Sequence, residues 1–281
     1  MNKRIGLRVD NSFNSPFDNE KVKIYTEYLV SWIKRRVKRA KAKGCVVGIS
    51  GGIDSALVAS LCAKAFPNNT LGLVMPIDSM NHDLEDISKL ERAINLKFKT
   101  VLLDKSFDEV KKSLNNEVDN LLSISNIKPR LRMIALYAYA QQNNYLVMGT
   151  DNQDEYFIGY FTKHGDGGVD LLPISKLLKS EVRMMAKYLN VPESIINKKP
   201  SAGLWEGQSD EDELGFTYHE LDSYLLDDKA DIRLNSVAKI ERMHKYSMHK
   251  RNKAGMPLSI DEVLKRKRKE QIWQDIHTEQ E

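Results

Sequence analysis

Cys45-Val46-Val47-Gly48-Ile49-Ser50-Gly51-Gly52-Ile53-Asp54-Ser55-Ala56-Leu57-Val58-Ala59 is the stretch whose reading decides the fold. The β-branched, apolar run to Ile49 predicts a buried strand, the adjacent glycines a turn, and Ile53 onward a buried helix running to Ala65. Glycines at a helix start let backbone N–H groups approach an anion, and the helix N-terminus adds unpaired donors and a positive dipole end. Phosphate is the guest such a turn suits. No Lys follows the glycines and their spacing is not G-x-G-x-x-G, so neither familiar phosphate loop is present. Asp54 would repel phosphate unless a divalent cation lay between them, which points to a Mg²⁺-nucleotide. A simpler reading stays open here, in which Ser50 and Asp54 only cap a helix.

Working outward, the 281 residues are 41% hydrophobic, enough for a sizeable core, and the net charge of +4 does not demand a nucleic-acid partner. Cys45 and Cys62 both sit in apolar contexts and are expected as reduced core residues, which suits the cytoplasm. The N-terminus shows neither a signal-peptide pattern nor a membrane-length apolar run, so the chain is expected to be soluble and not exported. Residues 1–20 are expected as a polar, mobile or loosely docked arm, and residues 21–281 as a single domain with a C-terminal helical tail. Val22, Tyr25, Leu29, Trp32, Ile33 and Val37 recur at helical spacing opposite a solvated basic face. Further strands are expected at 71–75, 97–103 and 145–148, and helices at 84–96, 107–122 and 127–141. The segment from Leu171 should return to strand and then helix. This alternation predicts an α/β fold, a doubly wound parallel sheet with helices on both faces. Ligands then gather at the carboxyl ends of the strands, where the glycine loop and the segment from Gly149 share an edge.

Gly149-Thr150-Asp151-Asn152-Gln153-Asp154-Glu155 places a hydroxyl and three carboxylates on that edge. Such oxygens can complete a Mg²⁺ shell with Asp54, or form the acidic first turn of a helix. Gly159–Asp170 is too glycine-rich for a regular element and reads as a loop able to close over a ligand, with His164 a bystander. Lys179 at a helix start opposes the dipole, which makes sense beside a bound anion. Trp205 is either a ring platform or a plug over the core. In the last helix, Ile260, Val263, Leu264, Ile272 and Ile276 are expected on a buried side, with Lys265 to Lys269 solvated.

Ser50 to Ser55 resembles the S-G-G-x-D-S loop of the ATP-pyrophosphatase (PP-loop) superfamily. Together with Asn126 to Arg132, Gly149 to Asp170, Pro200 to Trp205 and His249-Lys250-Arg251, it resembles the ammonia-dependent NAD synthetases. The resemblance implies that Gly48, Ile49, Ser50, Gly51, Gly52, Ile53, Asp54 and Ser55 bind ATP as co-substrate, assisted by Thr150, Lys179 and Ser201. It implies that Asp54 and Glu155 hold Mg²⁺, and that Arg130, Lys163, Asp170, His249 and Lys250 contact deamido-NAD. Asp166 matches a position that receives or deprotonates ammonium, and Lys179 neutralises charge on phosphate. A homodimer with substrate at its interface is also implied, with no nucleic-acid or membrane partner. The competing classes are a PP-loop enzyme acting on tRNA, which would carry an RNA-binding domain or catalytic cysteines, and a nucleotide-binding module without catalysis.

Overall fold

The computed structural model describes residues 6–10, 14–77, 83–115, 117–201, 209–228 and 232–268. In chain order the elements are α1 (Asn19–Arg39), β1 (Gly44–Ile49), α2 (Ile53–Ala65), β2 (Thr70–Val74), α3 (Leu84–Ile94), β3 (Phe98–Thr100), α4 (Asp104–Ser113), α5 (Leu121–Ser125), α6 (Ile127–Asn143), β4 (Tyr145–Met148) and α7 (Gln153–Ile158). They continue with α8 (Lys179–Tyr188), α9 (Glu193–Ile196), α10 (Asp210–Leu214), α11 (Tyr218–Leu225), α12 (Leu234–Tyr246) and α13 (Met248–Arg251).

The strands pair in parallel in the order β3-β2-β1-β4. β1 is flanked on both sides, with Cys45 opposite Thr70 on β2 and opposite Leu146 on β4. The direction of strand progression reverses between β1 and β4, so the crevice beyond their carboxyl ends is the topological switch point where α/β proteins take ligands. Alternate residues of β1 face opposite layers. Cys45, Val47 and Ile49 pack with α1, α2 and α8, whereas Val46 joins Leu73, Val147 and Ala140 of α6. Both faces are covered, as the doubly wound reading requires. α2 is apolar nearly all round because it lies between the sheet and α1. A separate small core of Ile158, Leu214, Phe216, Leu221 and Ile240 binds α7, α10, α11 and α12 to one another.

Several expectations change. The helix expected over 107–122 is two helices, because Leu114 ends α4, Asn115 adopts a left-handed conformation (φ 48°), and Asn120 caps α5 by accepting from the Ser123 N–H. The strand expected at Leu171 is a single bridge to Met148. The arm is more closely docked than its polar composition suggests. Leu7 and Arg8 are buried, the Leu7 N–H donates to Glu181 Oε1 at 2.9 Å, and Arg8 donates to Ser180 Oγ at 2.8 Å. Ile260 and Leu264 are exposed instead of buried, with Val263 only half-buried; an apolar spacing suits a face to burial without supplying the surface that would cover it. Ile272, Ile276 and Lys269 lie outside the described residues, as does Trp205.

Candidate active site

The glycine loop has the form the sequence predicts. Gly51 sits at φ 79°, where a side chain would be strained, and a Cβ there would stand 2.8 Å from Asp83 Cβ. Gly52 caps α2 without a side-chain hydrogen bond, leaving the first-turn N–H groups of the helix available to an anion. The serines brace the turn. Ser55 Oγ donates to the Gly52 carbonyl at 2.9 Å and lies 3.1 Å from Ser50 Oγ, which accepts from the Gly52 N–H at 3.2 Å.

The segment after β4 meets this loop across the crevice. Gly149 is needed there for close approach, since a Cβ would fall 2.6 Å from Leu172. Asn152 and Glu155 form a capping box at the start of α7, each side chain accepting from the other's N–H. Asn152 Nδ2 also reaches over to donate to Asp54 Oδ1 at 2.9 Å. Lys179 closes the group, its Nζ donating to Asp54 Oδ2 at 2.6 Å and to Glu155 Oε1 at 3.0 Å. Asp54 and Glu155, 101 positions apart in the chain, thus converge on one cation.

The sequence reading placed Lys179 against the helix dipole beside an anion. The structure resolves that conflict internally. The start of α8 is met by carboxylates, with Asp154 accepting from the Lys179 N–H at 2.8 Å and Asp222 accepting from the N–H groups of Lys179 and Ser180. The Lys179 side chain is free to turn to Asp54 and Glu155, with its ammonium 4.7 Å from the centre of the Tyr218 ring. The Tyr218 hydroxyl lies 3.2 Å from Glu155 Oε1 and 3.1 Å from Asp210 Oδ2. Burial raises the Glu155 carboxyl, and Asp54 adds to the effect while Lys179 opposes it, so that it titrates at about 7. Burial works against the charge of Lys179, but Asp54 and Glu155 outweigh it and hold the ammonium above its ordinary value.

The Gly159–Asp170 loop contains no helix or strand, as expected, and is pinned by its own bonds. The N–H groups of Gly165 and Gly167 donate to the Thr162 carbonyl, and the Thr162 N–H donates to Asp166 Oδ1 at 2.9 Å. Asp166 is raised by burial, against the pull of its Thr162 bonds. Around this loop stand the residues implied for deamido-NAD. Arg130 on α6 donates to the Lys163 carbonyl, Lys163 Nζ to the His249 carbonyl at 2.8 Å, and Lys250 Nζ to the carbonyls of Gly159 and Phe161. Asp170 accepts from Tyr137 OH and from the Val147 N–H, which ties the loop to α6 and β4. Thr150 follows β4 on the same edge, and Ser201 is exposed beyond α9. Asn152, Tyr218 and Asp222 are site residues that the sequence reading missed. The N-x-x-E spacing of Asn152 and Glu155 was a readable signal for the first, whereas nothing local marks the other two.

A glycine loop at the switch point, a buried cation held by two carboxylates and a parallel sheet define an α/β protein with a candidate nucleotide site at its carboxyl edge. The NAD synthase family model matches residues 25–254. The chain belongs to that family, whose reaction forms a carbon–nitrogen bond with ATP as co-substrate. An "NH(3)-dependent NAD(+) synthetase" of Mycoplasmopsis pulmonis is 54% identical over 84% of this chain and 91% of its own length. Among solved structures, the "NMN synthetase from Francisella tularensis" is 41% identical, with a TM-score of 0.80 over 85% of this chain and 99% of its own. The NH3-dependent NAD synthetase from Campylobacter jejuni is 31% identical, with a TM-score of 0.71 over 84% and 99%.

Proposed function

We propose that the chain makes NAD from deamido-NAD, ATP and free ammonia. The observation that carries this reading is the convergence of Asp54 and Glu155 on the Lys179 ammonium at the mouth of the glycine loop. ATP lies with its phosphates on Gly48 to Ser55 and the open N–H groups of α2, with Thr150 and Ser201 assisting. A nicotinate carboxylate oxygen attacks the α-phosphorus, the bond to the pyrophosphate oxygen breaks, and pyrophosphate leaves. Lys179 neutralises charge that develops on the phosphates. Ammonia nitrogen then attacks the acyl carbon, the carbon–oxygen bond to AMP breaks, and the nitrogen gives up a proton to leave the amide. Asp166 is the residue on the ammonia side. Arg130, Lys163, Asp170, His249 and Lys250 hold the dinucleotide.

Asp54 and Glu155 are the residues that would hold Mg²⁺. They fit the ion because they already gather around one cation with hard oxygen donors. Two protein carboxylates would leave the other positions of such an ion to phosphate and water oxygens. When bound, the ion would supply Lewis-acid neutralisation of phosphate charge.

Free ammonia as donor is supported by Cys45 and Cys62, both buried, so that neither offers the exposed thiolate that glutamine hydrolysis needs. Their unpaired state suits the cytoplasm, and no described helix is long and apolar enough to cross a membrane. A homodimer with substrate at its interface is supported by exposed Leu121, Leu122 and Ile134 on α5 and α6, the helix that also carries Arg130.

The test is incubation with ATP, Mg²⁺, ammonium and deamido-NAD, which should yield NAD, AMP and pyrophosphate in equal amounts. ADP and orthophosphate as the stoichiometric products would sink the reading, and equal rates with ammonia-free glutamine would sink the choice of donor. A second reading, favoured by the Francisella tularensis structure, takes nicotinate mononucleotide in place of the dinucleotide. A higher kcat/KM with the mononucleotide would select it.

A further inference from the structure

Tyr218 sits one helical turn before Asp222 on α11, and residues four apart share a helix face. Both side chains on that face reach Lys179. Asp222 accepts from the N–H groups of Lys179 and Ser180 at 3.2 and 3.1 Å, which holds the backbone end of the lysine. Tyr218 meets the other end, its ring centre 4.7 Å from the ammonium. α11 thereby grips one lysine at both ends.

The Tyr218 hydroxyl continues to the partner of that ammonium. It stands 3.2 Å from Glu155 Oε1, the same oxygen that accepts from Lys179 Nζ at 3.0 Å. One side chain therefore touches both members of the ion pair, the cation through its ring and the carboxylate through its hydroxyl. The hydroxyl also lies 3.1 Å from Asp210 Oδ2, and the Tyr218 N–H donates to Glu211 Oε1 at 2.9 Å, so the start of α10 fixes the tyrosine at both hydroxyl and backbone. Tyr218 is 5% exposed, and a desolvated ring attracts an ammonium more strongly than one in water.

The partners of Lys179 differ in what else they can serve. Asp54 and Glu155 offer hard oxygens that any second cation entering with a nucleotide would share, which loosens their hold on the ammonium. An aromatic face attracts the ammonium and offers such an ion no oxygen ligand. We propose that Tyr218 is a positioning residue for amide formation, whose ring keeps the Lys179 ammonium at the mouth of the glycine loop while its hydroxyl aims Glu155. The inference rests on the reaction proposed above, in which Lys179 neutralises charge on phosphate. Tyr218 acts through the pair and takes no part in making or breaking bonds.

The experiment compares the wild type with Tyr218→Phe, which keeps the ring and loses the hydroxyl, and with Tyr218→Leu, which loses both. Tyr218→Phe should lower kcat about tenfold, as loss of a hydrogen bond to a charged group predicts, and Tyr218→Leu about tenfold further, as loss of a buried cation–π contact predicts. KM for ATP, ammonium and the acceptor should stay within about threefold, because a misplaced neutralising charge weakens the transition state more than the ground state. Near-native kcat in either variant overturns the proposal, as do losses confined to KM. A spectroscopic measurement reads the contact without turnover. Ring currents move protons over an aromatic face upfield, so the Lys179 Hε signals, identified by their loss in Lys179→Met, should lie upfield in the wild type, with and without Mg²⁺-ATP, and in Tyr218→Phe. Signals at the ordinary lysine position, or a return to it when Mg²⁺-ATP is added, overturn the proposal even if Tyr218→Leu fails to fold. A wild type that makes no amide from either acceptor defeats the reaction reading itself and the positioning role with it, whereas an active wild type with unaffected variants defeats this inference alone.

Discussion

Glu155, half-buried, and Glu220, buried, are both carboxylates facing a cation, and they are driven in opposite directions. Glu220, in the first turn of α11, accepts from the Thr217 N–H at 3.0 Å, from Arg233 Nε at 2.8 Å and a terminal Arg233 nitrogen at 2.7 Å, and from Ser236 Oγ at 2.8 Å. The Arg233 fork above all, despite some burial, holds its carboxyl well below the usual range. Glu155 shares one ammonium with Asp54 and is pushed up to about 7. A carboxylate supplied with donors of its own is scaffold, stable and finished. One that shares its cation with a second carboxylate is left with part of its charge uncompensated.

The largest effect that would break this comparison is on activity. Asp54→Asn and Lys179→Met should each lower kcat for NAD formation by about 10³-fold or more, as expected where charge on phosphate is no longer neutralised. Glu220→Gln should leave kcat within about twofold, as expected of a carboxylate whose bonds go to Thr217, Arg233 and Ser236 and not to the glycine loop or Lys179. Near-native turnover in either site variant would remove the distinction.

Stability should separate the two regions next. Lys179→Met strands two carboxylates and should cost about 3–5 kcal/mol in urea unfolding without metal, part of which Mg²⁺ with ATP should restore. Glu220→Gln should cost about 1–3 kcal/mol from its lost charged hydrogen bonds, and neither Mg²⁺ nor ATP should restore any of it.

The smallest effect is the shape of the pH profile. The Glu155 carboxyl lies above its unfolded value of about 4.3, so its contribution to stability is full below that value and is lost as pH rises to about 7. Glu220 lies below its unfolded value, so its contribution is full above about 4.3 and is lost as pH falls through the acid range. Unfolding of the metal-free protein between pH 3 and 9 should therefore lose its neutral limb in Glu155→Gln and its acid limb in Glu220→Gln. Mg²⁺-ATP binding should strengthen as pH rises through about 7, since a carboxylate must be ionised to take the ion.

Much of this contrast was hidden in the sequence. The turn at Gly51 was legible because strand, glycines and helix are adjacent, and a left-handed backbone there requires glycine whatever surrounds it. The break between α4 and α5 was less so, because Phe107, Val110 and Leu114 continue a helical spacing that Asn115 interrupts. The exposure of Ile260 and Leu264 was not legible at all. An apolar stripe records that a face suits burial and carries no information on whether a partner is present.

The sequence by itself determined the alternation of strand and helix, and with it the edge on which Gly48 to Ser55 and Gly149 to Glu155 had to lie, because hydrophobic period and glycine turns act over a few residues. Only the tertiary structure decided that Lys179 pairs with Asp54, 125 positions away, that Asp154 and Asp222 cap its helix in place of a bound anion, and that Tyr218 reaches Glu155. Desolvation and Coulomb energy depend on distance through space and on exclusion of water, and neither is a property of a residue's neighbours along the chain.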